Sequence, residues 1–316
     1  MIRELNIALI GCGNWGKNIA RNLHQMGSLA CVYDSNIQLS EKLSYDYSLP
    51  TLELDEIFKD QNINAIVIAS SAITHKDLAV EALKNGKDVF IEKPFCLSLL
   101  DAQMLSELAL NRNRVLMVGH LLNYHNAFIK MKELIKNGKI GIPQNIRANR
   151  LALGAIRSEE SVIYDLSAHD ISMVLSIVKE LPIDINVQSI HHHKNIGPDA
   201  VSIKLSFANG VTALINSDWM CPYKEHKFSI IGTKGSLIFD DTKTWSEKLL
   251  YDPSIVTTKN TIETLPIEKI KIQENEPLKS ELIEFIDCIY ERKSPLTDHE
   301  EALKVQTVID MIDKKI

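Results

Sequence analysis

The chain has 316 residues, of which 45% are hydrophobic and 24% charged, an ordinary composition for a globular protein. This length suits two domains rather than one core, and no apolar run is long enough to cross a bilayer. The formal net charge of −6 disfavours a surface for nucleic acid or for an anionic membrane.

The first third of the chain alternates short apolar runs with helical patterns. Helices are predicted over residues 14–25, 54–59, 75–85 and 98–111, and strands over residues 5–10, 29–34, 65–70, 88–92 and 115–118. Strands that alternate with helices form a parallel sheet covered on both faces. We therefore expect a parallel α/β domain over residues 1–120.

The pattern changes after residue 120. Helices are predicted over residues 127–137, 165–178, 278–292 and 299–314, and strands over residues 145–152, 183–191, 201–207, 212–218, 227–231, 236–239 and 248–251. Most of these strands follow one another directly, and Asn209-Gly210 is a hairpin signal. We expect residues 121–316 to form a second, α+β domain built on an open, mainly antiparallel sheet.

A glycine motif lies between the first strand and the first helix. Gly11, Gly13 and Gly16 have the GxGxxG spacing, which permits a tight turn and close approach of a pyrophosphate to the helix N-terminus. This context predicts a Rossmann domain that binds a dinucleotide, with Asn14 and Trp15 beside it. Trp15 either contacts the cofactor or packs within the turn.

A carboxylate follows the second strand. Asp34 lies 23 residues after Gly11, where an acidic side chain accepts hydrogen bonds from the adenosine ribose. A 2′-phosphate would be repelled there, so NAD is favoured over NADP. The alternative is a turn or helix-capping aspartate.

Polar residues also follow the third strand. Ser70, Ser71, Thr74 and His75 lie at its carboxyl end, where loops line the cofactor cleft of open α/β sheets. We assign them to the cofactor site. Thr74 is alternatively the N-cap of the next helix.

The tripeptide Glu92-Lys93-Pro94 follows the fourth strand, and we assign it to the same cleft. Pro94 restricts Lys93 to extended geometry. A lysine ammonium beside the nicotinamide would hydrogen-bond the reacting oxygen and stabilise its alkoxide. By itself, such a tripeptide is as often structural as functional.

Asp165 and His169 are four residues apart at the start of a predicted helix and share a face. A carboxylate that orients a histidine raises its basicity, which suits a general base for an alcohol proton. The alternative is a capping aspartate and a structural histidine.

Two further groups are candidates for binding a substrate. His120, Asn123 and Tyr124 follow the last strand of the first domain and offer donors and acceptors for sugar hydroxyls. Arg150 and Arg157 precede the Asp165 helix and could grip a phosphate or carboxylate. The alternative for Arg150 and Arg157 is a solvated arginine on the protein surface.

The cysteines and histidines predict no metal centre. The five cysteines are widely spaced without a CxxC pair, which also disfavours a disulfide framework. Residues 191–193 are consecutive histidines, and a strand turns successive side chains to opposite faces.

An apolar strand follows residues 1–4 at once, so we expect no signal peptide and a cytoplasmic protein.

Together these motifs resemble the glucose–fructose oxidoreductase / inositol dehydrogenase / MocA family over essentially the whole chain. The resemblance lies in GCGNWG, VIASSAITH, EKP, GH, the Asp165-x-x-x-His169 pair and the late NGV and FSIIGTKGSLIFD segments. It implies NAD as cofactor, Lys93 and His169 at the nicotinamide and substrate, and a homodimer or homotetramer formed through the open sheet.

Within the family, GCGNWGKNIARNL, GHLLNYHNAF and NRLALGAIRSEE resemble bacterial 3-dehydrogenases of UDP-N-acetylglucosamine or its uronate. Asp165 departs from that subgroup, where another residue often stands. The resemblance implies oxidation at C3 of a UDP-N-acetylhexosamine or its uronate. The alternatives are a dehydrogenase of a polyol such as inositol, an NADP-linked reductase and a non-catalytic NAD-binding regulator.

Overall fold

The structure is a computed structural model that describes residues 5–154, 156–157, 159–193, 197–256 and 261–316. The chain forms two compact units. Unit 1 comprises Met1–Leu121 and Leu278–Gln306, and unit 2 comprises Leu122–Pro277 and Thr307–Ile316. A single boundary after residue 120 therefore misses the return of the C-terminal segment to unit 1. The roles assigned to the two domains stay predictions.

In unit 1, short strands alternate with helices before the C-terminal segment joins them. The elements are β1 (Ile7–Ile10), α1 (Asn14–Gln25), β2 (Leu29–Tyr33), α2 (Ile37–Tyr47), α3 (Leu54–Lys59), β3 (Ala65–Ile68), α4 (Ala72–Lys84), β4 (Asp88–Ile91), α5 (Leu99–Asn111) and β5 (Leu116–Val118). All five strands are parallel, in the order β2-β1-β3-β4-β5. The order reverses between β1 and β3, so a ligand crevice is expected at their carboxyl ends.

The inner strands explain why this sequence forms a covered parallel sheet. Every residue of β1, β3 and β4 is buried, as expected for strands with helices on both faces. A segment after α8 (Pro277–Glu291) covers the β5 edge, where Thr297 donates its hydroxyl to the carbonyl of Val118 at 2.8 Å.

Unit 2 is built on one large sheet. After a 3₁₀ turn at Leu121–Tyr124, the elements are α6 (Asn126–Lys136), β6 (Pro143–Leu153), a π-helical turn (Ile163–Ser167), α7 (Ala168–Val178), β7 (Asp184–Ile190), β8 (Ala200–Ser206), β9 (Thr212–Asp218), β10 (Met220–Gly232), β11 (Gly235–Asp240), β12 (Leu249–Asp252), β13 (Ile255–Val256), β14 (Ile262–Glu263) and β15 (Glu268–Lys269). The last helix, α9 (His299–Asp313), belongs to unit 1 up to Gln306 and to unit 2 after it.

The eight strands of this sheet have the order β15-β12-β11-β10-β6-β9-β8-β7. All neighbours are antiparallel except β6 and β9. The predicted fold class, a Rossmann domain followed by an α+β domain on a mainly antiparallel sheet, is confirmed. Within the described ranges, no helix has the length and apolar character needed to span a membrane.

Candidate active site

The turn after β1 requires glycine at two positions. Gly11 has a φ of +103°, and a Cβ there would lie 2.4 Å from the carbonyl carbon of Ala69. A Cβ on Gly16 would lie 2.0 Å from the carbonyl oxygen of Gly11. A side chain at Gly11 would therefore push the turn away from β3, and a side chain at Gly16 would push α1 away from the turn.

The N-terminus of α1 is suited to an anionic ligand. Gly13 is the N-cap and provides no side-chain cap, so the first N–H groups of the helix keep their donor capacity. The space around Gly13 is open, and Asn14 and Trp15 are exposed beside it. These N–H groups and the positive helix end fit the pyrophosphate of NAD.

Asp34 is fixed at the end of β2. Its carboxylate accepts the N–H of Cys12 at 2.6 Å and that of Asn36 at 2.8 Å. Asn36, not Asp34, is the N-cap of α2. A carboxylate so placed fits the ribose hydroxyls of NAD. Burial, reinforced by Asp34, raises the pKa of the Cys12 thiol to about 12, so Cys12 is a turn residue rather than a nucleophile.

Trp15 and Glu92 join the glycine turn to the end of β4. The indole Nε1 of Trp15 donates to Oε1 of Glu92, and the N–H of Lys93 donates to Oε2 at 3.3 Å. Burial raises the pKa of Glu92 to about 7, although the Trp15 bond and the Lys93 charge act against it. Glu92 is buried and supports Trp15 and Lys93 through these bonds, and its assignment as a direct cofactor contact stays a prediction.

The loop after β3 is tied to the loop after β4. Ser71 is the N-cap of α4, so Thr74 lies within the first turn, where its hydroxyl bonds that of Ser70 at 2.7 Å. His75 is buried, with Nδ1 2.8 Å from the carbonyl of Pro94 and Nε2 3.2 Å from that of Ser70. Both ring nitrogens face backbone carbonyls, so His75 links the two loops, and its assignment as a cofactor contact stays a prediction.

Lys93 lies two residues after the end of β4, at the carboxyl edge of the sheet, and is half-buried. The Lys93–Pro94 peptide bond is cis. The Trp15–Glu92 bond on one side and the His75–Pro94 contact on the other fix the backbone around Lys93. This position at the edge of the cofactor crevice suits an ammonium that acts on a bound ligand.

In unit 2, Asp165 lies in the π-helical turn and His169 in the first turn of α7. Oδ2 of Asp165 accepts the indole N–H of Trp219 at 2.9 Å, and Oδ1 lies 3.7 Å from the Arg157 guanidinium. Trp219 carried no functional signal in the sequence, where it stands as a single aromatic residue after a predicted strand. The predicted orientation of His169 by Asp165 stays a prediction.

The two candidate arginines differ. Arg150 is buried and forms a bidentate ion pair with Asp170, at 3.0 Å from Nε and 2.9 Å from Nη2. Its Nε and Nη2 donors are thus directed at a partner within unit 2, and the assignment of Arg150 to the substrate stays a prediction. Arg157 has 51% of its side chain exposed and stays a candidate.

The residues expected to offer sugar contacts are enclosed. His120, Asn123 and Tyr124 are only 1–3% exposed. Nδ1 of His120 lies 2.6 Å from Oε2 of Glu301 within unit 1, and Asn123 donates to the Ser172 hydroxyl at 2.7 Å within unit 2. These contacts support the structure within each unit, and the assignment of the three residues to the substrate stays a prediction.

Two family models match the chain. One, described as an oxidoreductase family with an NAD-binding Rossmann fold, matches residues 5–120. The other, described as the GFO/IDH/MocA C-terminal domain, matches residues 128–238. Both match the regions in which sequence analysis placed the two domains.

The chain is 26% identical over 256 residues to the myo-inositol 2-dehydrogenase of Thermotoga maritima. The aligned region covers 76% of each of the two proteins. The chain is 27% identical over 215 residues to the UDP-N-acetylglucosamine 3-dehydrogenase of Acidithiobacillus ferrooxidans, covering 67% of this chain and 64% of the relative. The solved structure of that second enzyme has a TM-score of 0.87 at 20% identity, covering 100% and 98% of the two chains, and shows the shared fold.

The glycine turn, the uncapped α1 and the Asp34 carboxylate fit NAD, and both halves of the chain match models of one family. The chain belongs to the Gfo/Idh/MocA family of NAD-dependent oxidoreductases.

Proposed function

We propose that this oxidoreductase oxidises a secondary hydroxyl of a sugar, at C3 of a UDP-N-acetylhexosamine or its uronate. The observation that carries the chemistry is the position of Lys93 at the carboxyl edge of the NAD-binding sheet, with its backbone fixed through Glu92 and Pro94. The nucleotide-sugar relative and the resemblance of three sequence segments support the substrate class.

The glycine turn, the N-terminus of α1 and Asp34 would hold NAD, which would supply the acceptor for the hydride of the carbon that carries the hydroxyl. In the proposed reaction the Lys93 ammonium donates a hydrogen bond to the hydroxyl oxygen and stabilises the alkoxide as it develops. His169 takes the hydroxyl proton as general base. Nδ1 of His169 is buried, so we assign this proton to Nε2. The Asp165 carboxylate, held by Trp219, stabilises the imidazolium that forms.

Arg157 is the proposed contact for the anionic part of the substrate. Its half-exposed guanidinium lies 3.7–3.8 Å from carboxylates of Asp165 and Glu160, longer than close ion pairs. A phosphate or carboxylate that offered two oxygens at hydrogen-bond distance would bind this planar donor more tightly.

A polyol dehydrogenase is the second candidate. The pairing of Arg150 with Asp170 engages one of the two arginines expected to bind an anion, which favours a neutral substrate. The inositol dehydrogenase relative supports the same class.

A substrate panel tests the proposal. The purified protein is incubated with NAD and, separately, with UDP-N-acetylglucosamine, its uronate and myo-inositol. NADH is followed by absorbance. In a parallel run, 2-oxoglutarate serves as an acceptor that reoxidises NADH held on the enzyme, so that turnover is detected even when no NADH is released. We expect a nucleotide-sugar product lighter by two hydrogens. Reaction with inositol while both nucleotide sugars stay unchanged would establish the polyol candidate instead.

An arginine variant sharpens the test. Arg157→Gln should raise KM for the nucleotide sugar about tenfold or more, as expected for loss of a charge-assisted contact, and should leave kcat nearly unchanged. Arg147→Gln is the matched control, because Arg147 is an exposed arginine of β6 in the same unit and is not assigned to the candidate site. Equal KM values for the two variants would remove Arg157 from the proposed site.

A further inference from the structure

Unit 1 contains a pocket of about 120 Å³ on the edge of its sheet opposite the cofactor loops. It is lined by the turn between α5 and β5 and by the segment between α8 and α9. The glycine turn, Ser70 and Lys93 all follow the carboxyl ends of parallel strands, whereas this turn leads into the amino end of β5. The pocket is therefore separate from the NAD site.

The cations of this pocket are not equivalent. Arg292 donates to both carboxylate oxygens of Asp88 at 2.8 and 3.0 Å, and Nζ of Lys293 lies 2.7 Å from a carboxylate oxygen of Glu291. Arg114 differs from both. Its Nε is buried and has no hydrogen-bond partner in the described part of the chain.

A second observation shows that the positive charge of Arg114 is felt by a neighbouring buried group. Lys87 is buried, and its ammonium donates to the backbone carbonyls of Asp60 and Ile63. Burial lowers the pKa of Lys87, and the positive charge of Arg114 lowers it further, against the attraction of Asp60. The positive charge of Arg114 thus contributes to the lowered pKa of Lys87 in unit 1.

A buried guanidinium donor without an acceptor is costly, and native structures seldom keep one unless a water or an ion completes it. Asn113 and Ser294 add neutral hydrogen-bonding groups to the pocket. Asp298 is the acidic group in the lining, and Oδ1 of its carboxylate accepts the N–H groups of Glu300 and Glu301 at the start of α9.

We propose that this pocket is a second ligand site, which binds a small oxyanion through the guanidinium of Arg114. The ligand group is a phosphate or a carboxylate, because either offers two oxygens in the plane of the arginine fork. A pocket of this size takes one such group and a few attached atoms. The site is independent of the sugar substrate proposed above and uses none of its residues.

Binding can be measured with the NAD site occupied. Protein saturated with NAD is titrated with inorganic phosphate in one arm and succinate in another, at constant ionic strength set with chloride. The readouts are the Tm, which rises with a ligand that binds the native state, and the ¹⁵N NMR resonance of the Arg114 Nε–H group. Saturating NAD prevents phosphate from binding at the N-terminus of α1.

We expect a saturable rise in Tm and a shift of the Arg114 resonance in at least one arm. Arg114→Gln should weaken that binding at least tenfold without changing NAD affinity. Arg112→Gln is the matched control, since Arg112 is exposed two residues away and does not line the pocket. A response to phosphate alone assigns a phosphorylated ligand, and a response to succinate alone assigns a carboxylate.

Two outcomes overturn the proposal. One is the absence of any saturable response by the wild-type protein in both arms, and the other is unchanged binding by Arg114→Gln. If that variant does not fold, the wild-type spectra decide, because binding elsewhere would leave the Arg114 resonance in place.

Discussion

The ion pair between Arg150 and Asp170 provides a sharp test of what Arg150 does. The two side chains are 10% and 1% exposed, and two charge-assisted bonds of 2.9–3.0 Å join them. Arg150→Met leaves the Asp170 carboxylate buried without its partner, and breaking a buried pair in this way costs about 3–5 kcal/mol. For a domain of this size we expect the Tm to fall by about 6–20 °C.

Two variants control this measurement, which thermal unfolding followed by circular dichroism provides. Arg150→Met/Asp170→Asn removes both charges, so it should be clearly more stable than Arg150→Met alone. Arg147→Met changes an exposed arginine of the same strand and should stay within about 0.5 kcal/mol of wild type. If Arg150→Met were as stable as Arg147→Met but raised the substrate KM, Arg150 would be a substrate ligand after all.

Three further predictions concern the active site and its pH response. Lys93→Met and His169→Asn should each lower turnover about a hundredfold or more with NAD affinity nearly intact, and Asp165→Asn should cost less; near-wild-type steady-state turnover of either of the first two would refute its role. Calorimetry should show tighter binding of NAD than of NADP, because the Asp34 carboxylate repels a 2′-phosphate; equal affinities would contradict this. Burial raises the pKa of Glu92 from 4.5 to about 7, so the native state binds that proton more tightly than the unfolded chain does. The stability that this proton contributes is present below pH 4.5 and is lost as the pH rises to about 7. Glu92→Gln cannot lose that proton, so the Tm of the variant relative to wild type should rise between pH 4.5 and 7. A Tm difference that stays constant over this range would contradict the raised pKa.

Sequence periodicity predicted the elements that carry strong local signals. The helix predicted over residues 14–25 has the bounds of α1, because a glycine turn precedes it and its apolar residues recur on one face. Helix α2 (Ile37–Tyr47) was missed, since only Ser40 and Leu43 of it are buried and the apolar pattern is weak. Strand β10 was predicted over residues 227–231 but begins at Met220, where polar residues and a register shift hide the alternation.

The candidate site shows a similar division. The glycine positions, Asp34 and Lys93 could be found from sequence, because each sits at a fixed place relative to a strand end. Their partners could not, since Trp15 and Glu92 are 77 residues apart and His75 and Pro94 are 19 apart. Sequence gives the chemistry of a side chain, whereas its availability to a substrate depends on which distant group the fold brings to it.

The support of Lys93 shows how these long-range contacts bear on function. Glu92 is held by Trp15 from the first turn of α1, and Gly119 after β5 leaves room for Glu92, since a Cβ on Gly119 would lie 2.9 Å from Oε2. Pro94 is held by His75 from α4. The backbone on each side of Lys93 is thus fixed by elements that follow neighbouring strands of the sheet. An ammonium stabilises an alkoxide efficiently only when its position is set before the charge develops, and this arrangement sets it through the fold rather than through the substrate.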